Sequence, residues 1–133
     1  MCIRDRIDFW ASWSAASVET LSGLEVIREK FGREQVTSVS VSVGETKRVV
    51  ADFMSKASIS ASVIADTESR LAERFGVSVL PQVVLISPQG VIKAVFLGGG
   101  ASMLAGLEDE LSSGLGISSE GETIENSNAA ESE

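Results

Sequence analysis

The chain has 133 residues, a formal net charge of -8, no histidine, no tyrosine and one cysteine. This is the length of one domain, and 44% hydrophobic with 23% charged residues reads as a globular protein. An internal disulfide, a Cys/His or Ser/His/Asp catalytic set and a zinc site all need residues this chain lacks, and its acidic balance argues against nucleic-acid binding.

Residues 1–6 (MCIRDR) place three charges and the only cysteine ahead of an abrupt apolar run. The hexapeptide resembles the translated adapter remnants that head many assembled reading frames. On that reading Cys2 is foreign, the native start lies upstream and the domain begins at residue 7; the other reading is a short native leader with a free thiol. Ile7 to Trp10 then reads as a short buried strand. From Ser14, residues Val18, Leu21, Leu24, Ile27 and Phe31 recur at spacings of three and four, which predicts one buried helix face stopped by Gly32. Val36 to Val43 alternates strictly, so Val39, Val41 and Val43 share one face of a strand and Ser38, Ser40 and Ser42 the other.

Residues 46–57 predict a second helix with Val49, Val50, Phe53 and Met54 on its apolar side, and 61–65 a short strand. Asp66 or Thr67 caps a third helix that buries Leu71 and Phe75 and stops at Gly76. Gln82–Ile86 and Val91–Phe96 flank Ser87-Pro88-Gln89-Gly90, a tight-turn sequence, and so predict an antiparallel hairpin. After Gly98-Gly99-Gly100 a last helix carries Met103, Leu104, Leu107 and Leu111 inward. Residues 117–133 hold five glutamates and no basic side chain, leaving 14 acidic and 11 basic residues in 1–116. Such a segment cannot bury enough apolar surface to offset its ordering entropy, and is expected to be a disordered acidic tail that aids solubility or meets a partner. No apolar stretch reaches the roughly 18 residues a membrane span needs.

Strands alternating with helices imply a parallel sheet covered on both faces, and the closing hairpin makes that sheet mixed: an α/β three-layer sandwich. Ile7-Asp8-Phe9-Trp10-Ala11-Ser12-Trp13 running into a helix, with Val79-Leu80-Pro81 ahead of the hairpin, resembles the thioredoxin fold in its TlpA-like branch. The inserted helix and strand across 45–65, Phe75-Gly76-Val77 and the Ser-Pro-Gln-Gly turn also fit that branch over residues 7–115. The leading strand or hairpin usual in the family is missing, as expected of an N-terminally truncated chain.

The resemblance implies thiol–disulfide oxidoreductase activity, yet the residues that would carry it are changed. The family places Cys-x-x-Cys directly after the second tryptophan, where this chain has Ser14-Ala15-Ala16-Ser17. A serine hydroxyl stays protonated and cannot exchange with a disulfide, whereas the family chemistry uses a thiolate. No catalytic residue is therefore expected, and no cofactor or metal. Ser14 keeps the helix-capping role of the residue it replaces. The resemblance further implies that Asp8 is the buried acid beneath the second dithiol position, bonded here to water or Ser17, with its pKa raised by desolvation. Pro81 matches the family's cis-proline, and Trp13, Leu80 and Pro81 are expected either to line a groove for a protein or extended peptide, or to leave Trp13 packed over the helix end.

Three functions remain open: a redox-inactive binding module, a holdase-like chaperone, and an oxidoreductase relative that draws thiols from outside this chain. Peroxiredoxin chemistry is disfavoured because no Thr-x-x-Cys stands at the first helix. Family resemblance alone points to an extracytoplasmic location.

Overall fold

A computed structural model describes residues 3–32, 35–57 and 62–114. Cys2 and the 117–133 tail lie outside the described residues. The elements run β1 (Asp5–Trp10), α1 (Ala15–Phe31), β2 (Thr37–Val43), α2 (Lys47–Ala57), β3 (Val63–Asp66), α3 (Arg70–Arg74), β4 (Gln82–Ile86), β5 (Ile92–Leu97) and α4 (Ala101–Gly114). This is the order the hydropathy pattern predicts.

The strands form one mixed sheet in the order β3-β2-β1-β4-β5. β1, β2 and β3 run parallel, with Phe9 opposite Val41 and Ser42 opposite Ala65. β4 lies antiparallel to β1, and β5 antiparallel to β4. Alternation along each strand then separates two apolar layers. On one face, Leu24, Ile27 and Phe31 of α1 and Met103, Leu107 and Leu111 of α4 pack over Val83, Leu85 and Ala94. On the other, Leu71 and Phe75, in and just after α3, cover Phe9, Val41 and Val84. Phe53 of α2 meets Trp10 with ring centroids 5.4 Å apart, which puts α2 on the α1 side of the sheet.

Several expectations shift in detail. The strand expected from Ile7 begins at Asp5, because Asp5 and Arg6 already pair with Thr37 and Ser38 on one side and Ile86 and Leu85 on the other. Ile3 joins the core and Arg6 is buried, so residues set aside as a leader take part in the fold. On α1 the buried positions are Ser17, Thr20, Leu24, Ile27 and Phe31, while Val18 is exposed. The cause is steric: a Cβ placed on Gly99 would lie 2.4 Å from Thr20 Oγ1 and 3.2 Å from the Ala16 carbonyl, so only small side chains fit where this loop meets α1. Val49, expected inward on α2, is exposed as well. The third helix is a single short turn-and-a-half, held by the Asp66 carboxylate, which accepts the N–H groups of Leu71 (3.2 Å) and Ala72 (2.9 Å).

Candidate functional site

The site is built at the C-terminal ends of the parallel strands, where β1 turns into α1. The turn is short: the Ser14 N–H bonds the Ala11 carbonyl at 3.1 Å, and the next bond, Val18 N–H to the Ser14 carbonyl, already belongs to the helix. Ser14 is the N-cap, in extended backbone geometry, and its Oγ accepts the Ser17 N–H at 3.2 Å. The first orphan amides of a helix need such an acceptor, and a serine supplies one worth about 1 kcal/mol. Three residues on, Ser17 is completely buried, and its hydroxyl has no hydrogen-bond partner among the described residues. The two positions expected to match the family dithiol thus hold one hydroxyl that caps the helix and one with no partner among the described residues.

Asp8 lies inside the sheet on the α1 side. Of the two partners expected for it, water or Ser17, the Ser17 bond does not form; Asp8 Oδ2 accepts Arg6 Nη2 at 2.7 Å, and the same nitrogen reaches the Leu24 carbonyl at 3.3 Å. Both side chains are almost fully buried. Burial pushes the Asp8 carboxyl above its ordinary value, opposed by the attraction of Arg6 and its hydrogen bond. Arg6 Nε and Nη1 and Asp8 Oδ1 carry no partner among the described residues. A cavity of about 20 Å³ adjoins the pair, lined also by Trp10, Ser38 and Ser40. That is room for one water-sized guest and far too little for an organic cofactor. Among the described residues, no group of three or more His, Cys, Asp or Glu side chains could hold a metal ion.

The Leu80–Pro81 peptide bond is cis, and Pro81 is buried. A Cβ on Gly99 would lie 3.4 Å from Pro81 Cγ as well as against the first turn of α1, so the Gly99 backbone brings Pro81 and the Ser14–Ser17 turn to one place. Leu80 is half-buried and packs into the α3-side layer. Trp13 does neither. It stands 69% exposed, which removes the option of an indole packed down over the helix end.

Glu45 is the residue that sequence reasoning missed. It follows β2, is buried, and accepts bonds from the Ser12 N–H (3.0 Å), the Ser12 hydroxyl and the Ser42 hydroxyl (2.7 Å). Its backbone carbonyl accepts Thr67 Oγ1 at 2.9 Å. A lone loop glutamate carries no periodic signal; the Ser42-x-x-Glu45 spacing, the form of a capping box, is the one cue that could have marked it.

Residues 7–95 match the AhpC/TSA family, and the chain belongs to that family, in its TlpA-like branch with the thioredoxin fold. The thiol-disulfide oxidoreductase ResA of Bacillus subtilis (strain 168) is 29% identical over 92 residues, covering 69% of this chain and 51% of the relative. The chain therefore spans about half the length of that relative. Among solved structures, a putative thiol:disulfide interchange protein DsbE from Chlorobium tepidum superposes with a TM-score of 0.78 at 19% identity, covering 86% of this chain and 80% of its own. A secreted Mycobacterium tuberculosis disulfide oxidoreductase does so with 0.65 at 17% identity, covering 86% and 81%. At these identities the structural matches speak for the fold. No helix among the described residues is long and apolar enough to cross a membrane.

Proposed function

We propose that this domain has lost thiol–disulfide exchange and serves as a binding module for an extended segment of another protein, outside the cytoplasm. One observation carries the reading: Ser14 and Ser17 stand where the resemblance puts the dithiol, and Ser14 is spent on capping α1. A thiolate is the nucleophile of exchange, and neither hydroxyl can replace it at physiological pH. What remains is a surface: exposed Trp13 beside the helix start, with half-buried Leu80 ahead of β4 as the second apolar contact of the proposed groove and buried Pro81 as its floor. A tryptophan offers large contact area at low entropic cost, and backbone next to a strand start can pair with an extended chain. The location rests on the secreted Mycobacterium relative.

Insulin reduction by dithiothreitol tests the first half. The chain adds nothing above background, whereas Ser14→Cys/Ser17→Cys gains measurable turnover. Clear turnover by the unmodified chain that survives Cys2→Ser overturns the reading. The second half is tested by titrating reduced, carboxymethylated α-lactalbumin, a permanently unfolded polypeptide. Binding that weakens in Trp13→Ala supports the module; equal binding removes Trp13 from it.

A holdase role is the second reading, favoured by the exposure of Trp13, Val18 and Val79 together. Suppression of citrate synthase aggregation at stoichiometric amounts supports it, and no effect at tenfold excess ends it.

A further inference from the structure

Trp13 projects from a loop with its ring 69% exposed, so packing does little to hold the indole in place. Its direction is set by the backbone that carries it. That backbone is tied at the neighbouring residue: Ser12 gives both its N–H, at 3.0 Å, and its hydroxyl to the Glu45 carboxylate. Glu45 is in turn fixed by Ser42 Oγ at the end of β2 and, through its carbonyl, by Thr67 Oγ1 ahead of α3. Gly44 N–H bonds the Asp66 carbonyl at 2.8 Å, closing the same edge. A carboxylate in the middle of three donors makes charge-assisted bonds, stronger and more directional than those between neutral groups. The loop that presents Trp13 is therefore anchored to β2 through one side chain, and that side chain is buried.

We propose that Glu45 is a positioning residue: by clamping Ser12 it fixes the orientation in which Trp13 meets a docked chain. The binding half of this inference rests on the reading that Trp13 contacts an extended peptide. The positioning half stands by itself, because it concerns where the indole points with or without a ligand.

Both halves are read with the full chain. The indole N–H signals of Trp10 and Trp13 are followed by 15N–1H NMR, and reduced, carboxymethylated α-lactalbumin is the binding probe. Glu45→Ala moves or broadens the Trp13 signal while Trp10 stays, and weakens binding about tenfold, as expected when one charge-assisted anchor is lost. Glu45→Gln keeps one oxygen to accept the Ser12 N–H and brings back the Trp13 signal and most of the affinity. In the Trp13→Ala background, Glu45→Ala weakens binding no further, since it acts through the absent ring. An unmoved Trp13 signal in Glu45→Ala overturns the inference, and so does an equal loss of binding with and without Trp13. If Glu45→Ala does not fold, Ser12→Ala and Glu45→Gln take its place, and an unmoved Trp13 signal in both overturns the inference equally. Should Trp13→Ala bind as well as the unmodified chain, the peptide reading fails, and the indole signal alone decides whether Glu45 sets Trp13.

Discussion

Replacing Ser17 by alanine should stabilise the domain. Ser17 is completely buried at the third position of α1, and its hydroxyl has no partner among the described residues, while its N–H is served by Ser14 Oγ. A buried hydroxyl without a bond costs about 1–3 kcal/mol. Removing it returns that cost and adds the better helix propensity of alanine, about 0.5 kcal/mol, against the small loss of packing around one oxygen atom. The net expectation is a gain of about 1–2 kcal/mol. Urea denaturation should show a higher midpoint with an unchanged slope, and the thermal midpoint should rise by about 4 °C or more for each kcal/mol. The same substitution at Ser14 has the opposite sign, because it removes the N-cap and costs about 1 kcal/mol. Two serine-to-alanine changes three residues apart thus move the midpoint in opposite directions. A Ser17→Ala protein less stable than its parent by more than about 0.5 kcal/mol refutes the reasoning, for it means that the hydroxyl is bonded in solution.

Arg6 and Asp8 form a buried pair that leaves three of their polar atoms without partners among the described residues. Replacing both with apolar residues, Arg6→Leu/Asp8→Val, should be neutral or stabilising by up to about 4 kcal/mol, whereas Asp8→Val alone strands a buried charge and costs about 3–5 kcal/mol. A double variant less stable than the single one contradicts this. The raised Asp8 pKa gives a pH signature of definite sign: between its ordinary value of 3.8 and the higher folded value, the native chain holds a proton that the unfolded chain has released. The contribution of Asp8 is thus full below 3.8 and is lost as pH rises through the folded value, so stability relative to the double variant should fall across that window. A flat difference profile from pH 3 to 8 speaks against a perturbed Asp8. Gly99→Ala should cost about 1–3 kcal/mol, since its Cβ would sit 2.4 Å from Thr20 Oγ1, and a Thr20→Ala background should relieve part of the loss. Equal costs in both backgrounds place the strain elsewhere.

The element order was legible because each element repeats its apolar residues at its own period, and the Val36–Val43 alternation even assigned the two faces of β2 correctly. The face of α1 was not. Hydropathy selects Val18, but the positions that α1 buries in its first turns are Ser17 and Thr20, and Thr20 stands against the backbone of Gly99. A contact such as the Gly100 N–H to Thr20 Oγ1, across 80 positions of sequence, leaves no trace in a helical period. The start of β1 was missed for a related reason: Asp5 and Arg6 look like solvated charges, and only their pairing with β2 and β4 makes them strand. The helix start at Ser14 was legible through the aromatic string before it, and the structure makes Ser14 the N-cap of α1. Glu45 was invisible because its role comes from three donors that converge only in the folded chain.

The sheet order places β1, the first strand of the domain in chain order, at the centre, between β2 and β4. As the chain leaves the ribosome, β1 can find β2 early, but its second flank stays bare until Gln82–Ile86 has emerged. The Arg4 N–H to Ile86 carbonyl bond, 2.8 Å long, spans that whole interval. Completion of the core is thereby postponed until most of the domain exists, since Val83 and Leu85 bring the apolar floor on which α1 and α4 pack. Such long-range pairing slows folding and leaves an unpaired central strand exposed to other nascent chains. A fragment that stops before β4 can pair β1, β2 and β3 but leaves the second edge of β1 open, so it should not fold to a stable domain by itself.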